Sequence, residues 1–177
     1  GDICYGDSLL LFSGSTVSNV LGAFIADHQW MFGDGDSSHV INPTHFYNFD
    51  GAYTVTLVTT TNHGCKDTLV QPLTVFPKPN ASFNFPRTCQ PDAVNFIDAS
   101  TVSSGTIAVY DWEFGDGGSS LLQNPSYAYA AADSYLVQLI VTTDNGCLDT
   151  LERELVWNPK PAALFDFQNV CFPDSIV

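Results

Sequence analysis

The chain has 177 residues and a formal charge of −14, from 5 Lys and Arg against 19 Asp and Glu. A hydrophobic fraction of 45% supplies a packed core and excludes a wholly disordered chain. So few cations exclude both a phosphate-neutralising nucleic-acid binder and a basic membrane-surface patch. No apolar run approaches the ~20 residues of a membrane-inserted helix. With no leader and no initiator Met, Gly1 reads as the start of a mature product or of a segment of something longer.

From the N-terminus, short strands fit 8–13, 27–32, 44–47, 53–61 and 67–76. The same series returns at 93–98, 109–114, 126–129, 135–142 and 149–157. Tyr135, Val137, Leu139 and Val141 alternate with Leu136, Gln138, Ile140 and Thr142, the period-two pattern of a strand. Gly, Pro, Asn and Asp cluster between these runs, as turns require.

The recurrence is a duplication. A shift of 82 lays Trp30–Asp92 on the following stretch without a gap. Trp30, Gly33, Asp34 and Gly35 fall on Trp112, Gly115, Asp116 and Gly117. Asn42-Pro43 falls on Asn124-Pro125, Gly64-Cys65 on Gly146-Cys147, and Pro77-Lys78-Pro79 on Pro159-Lys160-Pro161. Before Trp30 the offset becomes 85, so the first copy carries a loop insertion within 17–29. Its phase is uneven, because the first copy lacks the Ala81–Phe85 segment that opens the second. A third begins with Phe165, Phe167 and Cys171 in place of Phe83, Phe85 and Cys89. The expected units are 1–76, a repeat without its first strand; 77–158, a complete repeat; and 159–177, the first strand and cysteine of a third. Each reads as an all-β sandwich. The φ-restricted Pro-Lys-Pro links predict tandem sandwiches on a semi-rigid string.

The hexapeptide Trp112-Glu113-Phe114-Gly115-Asp116-Gly117, followed by Asn124-Pro125-Ser126-Tyr127-Ala128-Tyr129 and Ser134-Tyr135-Leu136-Val137, resembles the PKD repeat. The first copy is closer still, with Asn42-Pro43-Thr44-His45-Phe46-Tyr47 and Gly51-Ala52-Tyr53-Thr54-Val55. The second departs from the pattern at Tyr127, where His is usual, and at Asp133, where Gly is usual. The resemblance implies an immunoglobulin-like sandwich that is extracellular, arrayed and not catalytic. The paired cysteines and Pro-x-Pro borders resemble those of large surface adhesins of gliding bacteria, some of them exported by a dedicated outer-membrane secretion system.

Within that frame the repeat suggests disulfides Cys4–Cys65 and Cys89–Cys147, leaving Cys171 for a partner outside the chain. No Cys-x-x-Cys spacing occurs, which disfavours a metal site at the cysteines. Asp34, Asp36 and Asp116 are weak calcium candidates. The preferred reading of Phe-Gly-Asp-Gly is a tight turn, with Gly at positive φ and Asp capping backbone amides. Trp30 and Trp112 read as core. The sequence contains no nucleophile elbow, and no catalytic residue or cofactor is expected. Asn80-Ala81-Ser82 is an N-glycosylation sequon. Ser8, Thr68, Thr150 and Ser175 each sit in an Asp-[Ser/Thr]-aliphatic triplet resembling the O-glycosylation motif of that bacterial group. A turn running into a strand explains those triplets equally well.

The expected function is a stalk or spacer segment of an extracellular repeat adhesin or filament. Its partners are neighbouring repeats or identical chains, with surface glycans a further candidate. The uneven phase has two readings. One is a window on a continuous array. The other is strand donation, in which Ala162, Leu164, Phe165 and Phe167 fill the exposed sheet edge of a neighbouring chain. The alternative function is a carbohydrate- or protein-binding accessory module of a secreted hydrolase, for which Tyr5, Tyr110 and Trp157 are the candidate aromatics.

Overall fold

The computed structural model of the chain describes residues 2–18, 20–86, 93–159 and 161–166. Two β-sandwiches follow one another, each around its own buried cluster. The first uses β1 (Ile3–Cys4), β2 (Ser8–Leu10), β3 (Ile25–Met31), β4 (Ser37–Ser38), β5 (Thr44–Phe46), β6 (Gly51–Thr61) and β7 (Lys66–Phe76). One of its sheets has the order β1-β7-β6-β3-β4, and the other pairs β2 with β5. The second sandwich uses β8 (Phe83–Asn84), β9 (Val94–Asn95), β10 (Ile97–Asp98), β11 (Ile107–Glu113), β12 (Ser119–Ser120), β13 (Ser126–Tyr127), β14 (Ser134–Thr143) and β15 (Leu148–Val156). Its main sheet runs β12-β11-β14-β15, faced by the pairs β10-β8 and β13-β9.

The alternation in the sequence explains which faces are buried. Val137, Leu139 and Val141 on β14 point inward and are fully covered, while their neighbours are partly open. Val55 and Leu57 do the same on β6. Trp30, Phe32 and Tyr47 fill the first core; Trp112, Phe114 and Tyr129 fill the second with Phe83 and Phe96. Tyr47 donates its hydroxyl to the Phe32 carbonyl at 2.9 Å, and Tyr129 donates to Phe114 at 3.0 Å. Each bond satisfies a buried phenol that would otherwise cost about 1–3 kcal/mol.

The cysteines depart from the expected pairing. Cys4 is bonded to Cys147, with Cα atoms 5.6 Å apart, and Cys65 is free and exposed. Neither Cys4–Cys65 nor Cys89–Cys147 forms, and strand direction is the reason. On β1, Cys4 pairs in parallel with Phe76, at the end of β7 that leads into domain two. Cys65 precedes the opposite end of that strand. Ten residue steps along β7 span roughly 33 Å, and a disulfide requires Cα atoms within about 7 Å. Cys147 occupies the equivalent turn of domain two, which faces domain one. The bond therefore crosses the domain junction. Pro77 and Pro79 of the link are buried there. Cys89 and Cys171 lie outside the described residues.

Candidate functional site

Among the described residues of domain one no strand occupies the place that β8 holds in domain two, and a groove lies there. In domain two, β8 runs antiparallel to β10 with Asn84 opposite Ile97 and Phe83 opposite Asp98. The pairing extends outward: the Ala99 amide donates to Ser82 at 2.8 Å, and Asn80 and Thr101 exchange two backbone bonds at 2.8 and 3.1 Å. Ala81 donates its amide to Asp149 Oδ2 at 2.8 Å. Arg153 donates to the Phe83 carbonyl and lies over the Phe83 and Phe85 rings. The Phe83 ring meets Trp112 at a centroid distance of 5.0 Å and is 1% exposed.

By the repeat, the residues that contact β8 correspond to Leu11, Phe12, Trp30, Asp67 and Gln71 of domain one. These five line a groove of roughly 660 Å³ along β7. Among the described residues no strand pairs with 12–15. Leu9 and Leu11 are half-buried, whereas their counterparts Val94 and Phe96 in domain two are sealed.

The Phe-Gly-Asp-Gly turn was the other candidate, and it recurs with one exchange. Asp34 Oδ1 accepts the Asp36 amide at 3.1 Å, and Asp116 Oδ1 accepts the Gly118 amide at 3.0 Å. The second carboxylate contact differs. His45 Nε2 meets Asp34 Oδ2 at 2.7 Å, whereas Tyr127 donates its hydroxyl to Asp116 at 2.9 Å. His45 stacks on Phe32 at 3.9 Å, and Tyr127 on Phe114 at 4.0 Å. Both side chains are thus anchors for the turn aspartate. Burial pushes the Asp34 carboxyl up, but the hydrogen bonds from His45 and the Asp36 amide outweigh it and hold it below the ordinary value. Asp34, Asp36 and His45 bring one potential ligand atom each within 4.8 Å of one another. Domain two has Asp116, Gly118 and Tyr127 at those places, which leaves one carboxylate. The shared geometry is that of a turn lock, and metal donors are not part of what the two copies have in common.

The remaining candidates are scattered. Ser8, Thr68, Thr150 and Asn80 are exposed, and Ser175 lies outside the described residues. Ala162 and Leu164 are exposed, as is Phe165, while Phe167 lies outside. Tyr5 is exposed at 40%, Tyr110 packs against the second core, and Trp157 is 2% exposed. Of these candidate aromatics Trp157 is corrected, because it is a core residue packed against Tyr129. The duplication carried that signal, since Trp157 falls on Val75, which is also buried.

The PKD domain profile matches residues 7–76 and again 77–156. The chain belongs to the PKD domain family. PKD domains are non-catalytic modules, and the two matches make this chain a PKD repeat array with an all-β, immunoglobulin-like fold. A stretch of 58 residues, 33% of the chain, is 40% identical to the pre-pro-metalloprotease PrtV of Vibrio cholerae serotype O1. The chain spans only 6% of that relative's length. Among solved structures, the PKD1 domain of Vibrio anguillarum Epp is 30% identical over 47% of this chain and 96% of its own, with a TM-score of 0.44. The PKD1 domain of V. cholerae PrtV is 33% identical over 46% of this chain and 98% of its own, with a TM-score of 0.43. A structure described by the promiscuous specificity of carbohydrate-binding modules of the β-sandwich superfamily is 32% identical. It covers 46% of this chain and 35% of its own, with a TM-score of 0.44. Among the described residues, no helix is long and apolar enough to cross a membrane.

Proposed function

We propose that these PKD domains are spacers: a stalk segment of an extracellular repeat adhesin or surface filament. The observation that carries this reading is the junction. Cys4–Cys147 and the buried Pro77 and Pro79 tie two sandwiches end to end, so that load and orientation pass from one to the next. A disulfide at that point favours an oxidising, extracellular setting. The charge of −14 keeps such rods apart sideways. Exposed Ser8, Thr68 and Thr150 leave room for O-linked glycans on this stalk. No catalytic work is assigned to it.

Small-angle scattering tests the spacer. Two sandwiches of roughly 36 Å each give a rod of about 75 Å. The oxidised chain should hold that single extended form, and reduction should broaden it. A chain equally flexible in both states would refute the reading.

A second reading is favoured by the PrtV similarity: an accessory module of a secreted hydrolase. It requires retention on insoluble polysaccharide or protein substrate in a pull-down. The buried Trp157 speaks against an aromatic platform.

A further inference from the structure

We infer that domain one carries a site for a divalent transition-metal ion of the zinc class, formed by His45, Asp34 and Asp36 at the Phe-Gly-Asp-Gly turn. This is independent of the spacer and accessory-module readings, since either kind of module could hold such an ion.

Two positions change together between the copies. The shift of 82 lays Asp36 on Gly118 and His45 on Tyr127, while the turn aspartate itself, Asp34 or Asp116, is kept. In domain two the phenol reaches both oxygens of that carboxylate, at 2.9 and 3.0 Å. A Cβ at Gly118 would lie 2.0 Å from the hydroxyl, so the phenol admits no side chain beside it. In domain one the shorter imidazole meets Asp34 Oδ2 alone, at 2.7 Å, and position 36 bears a side chain. That side chain is a second carboxylate. An exchange that keeps the turn lock thus replaces a phenol cap with three metal donors, whose ligand atoms all lie within 4.8 Å of one another.

Two of the donors are already aimed. His45 stacks on Phe32 at 3.9 Å, stands edge-on to Tyr47 at 4.7 Å, and its side chain is 9% exposed. Asp34 is oriented by the Asp36 amide, which donates to Oδ1 at 3.1 Å and leaves Oδ2 facing the imidazole. Fixed outer contacts of this kind are what orient metal ligands. The Asp36 side chain is exposed, which gives the ion a way in. Donors on one tetrahedral ion stand about 3.3 Å apart, given Zn–N and Zn–O lengths of about 2.0–2.2 Å. Side-chain rotation brings the three atoms to that spacing, with no change in the backbone of the turn.

The donor set chooses the metal. One imidazole nitrogen and two carboxylate oxygens suit zinc and its neighbours, with water as the fourth ligand. Calcium takes about six to eight oxygens, which this trio does not supply. A carboxylate only accepts, so Nε2 carries the ring proton in the lock. On binding, the ion takes Nε2 and Asp34 Oδ2, and the ring proton passes through solvent to Nδ1.

Calorimetric titration of the full chain with zinc chloride tests this. A background of Cys65→Ser, Cys89→Ser and Cys171→Ser removes the unpaired thiols as rival ligands. A single ion should bind per chain, and the melting temperature should rise by an amount that EDTA reverses. Asp36→Asn keeps the amide that orients Asp34 and removes only an exposed carboxylate. It should leave the zinc-free melt and the circular dichroism spectrum unchanged. Zinc binding should weaken by more than the roughly 10–100-fold that loss of an outer supporting contact costs. The pair Asp36→Gly and His45→Tyr rebuilds the lock of domain two, so it should fold and bind no zinc. A parent chain that takes up no zinc overturns the proposal. So does binding that Asp36→Asn weakens less than about tenfold, or that the paired variant retains.

Discussion

Cys4 and Cys147 stand 143 residues apart in the chain and are covalently joined across the boundary between its two domains. Most of the polypeptide lies inside that one loop. On the chain-entropy account, closing a loop of this length removes about 5 kcal/mol from the unfolded ensemble. The bond also links the fates of the two domains, because neither end can drift from the other.

Cys4→Ser should therefore lower stability in guanidinium by about 2–5 kcal/mol. Cys65→Ser should change it by less than about 0.5 kcal/mol, as befits an exposed turn residue. Native-state alkylation followed by a non-reducing peptide map checks the pairing directly. Cys65 should take the label, and the Cys4 and Cys147 peptides should travel together. If Cys65→Ser is the costly variant, the bond lies within domain one instead.

Gly115 and Gly117 flank the same aspartate, yet only one has no room for a side chain. A Cβ on Gly115 would sit 2.7 Å from the Leu136 carbonyl oxygen and 2.9 Å from its amide nitrogen, both fixed in β14, whereas Gly117 opens on empty space. Both have positive φ, at 83° and 94°. Gly117→Ala should thus cost only the left-handed strain, about 1–2 kcal/mol. Gly115→Ala adds a backbone collision and should exceed about 3 kcal/mol. Thermal melts of the two variants would order them. Equal losses would mean that the turn slides away from β14 and that the close approach is not a constraint. Gly33 faces Thr54 in the same way and should behave like Gly115.

These residues also show what the sequence could and could not reveal. Trp-x-Phe-Gly-Asp-Gly was readable because each of its positions does local work: a core ring, a second core ring, a left-handed turn and a capping carboxylate. The alternating strands were readable because burial enforces period two. Cysteine pairing was not readable. Self-alignment says which cysteines are equivalent, but not which end of a strand each occupies, and a parallel β1 puts Cys4 at the far end from Cys65. The two-residue strands β1, β4 and β12 also escaped, because so short a run has no period to detect. The exchange of His45 for Tyr127 read as a lapse from the pattern. It is a substitution that keeps the hydrogen bond, and Gly118 permits it, since a Cβ there would lie 2.0 Å from the Tyr127 hydroxyl.

That exchange makes acid the sharpest probe of domain one. The Asp34 carboxyl and the His45 ring are 16% and 9% exposed, close enough to matter and covered enough to escape much of the screening by salt. Asp34 is held below its ordinary value in the folded protein. A carboxyl of depressed pKa stabilises the fold fully above its unfolded value, near 4. That contribution drains away as the pH falls through the lower folded value. Asp34→Asn keeps the shape and removes the titration. The variant should be less stable than wild type at pH 6, and the gap should close as the pH is lowered from about 4 towards 2. Urea midpoints measured across that range would trace the closure. A gap that stays constant would show that the Asn penalty comes from the lost turn cap alone, with no part played by the charge facing His45.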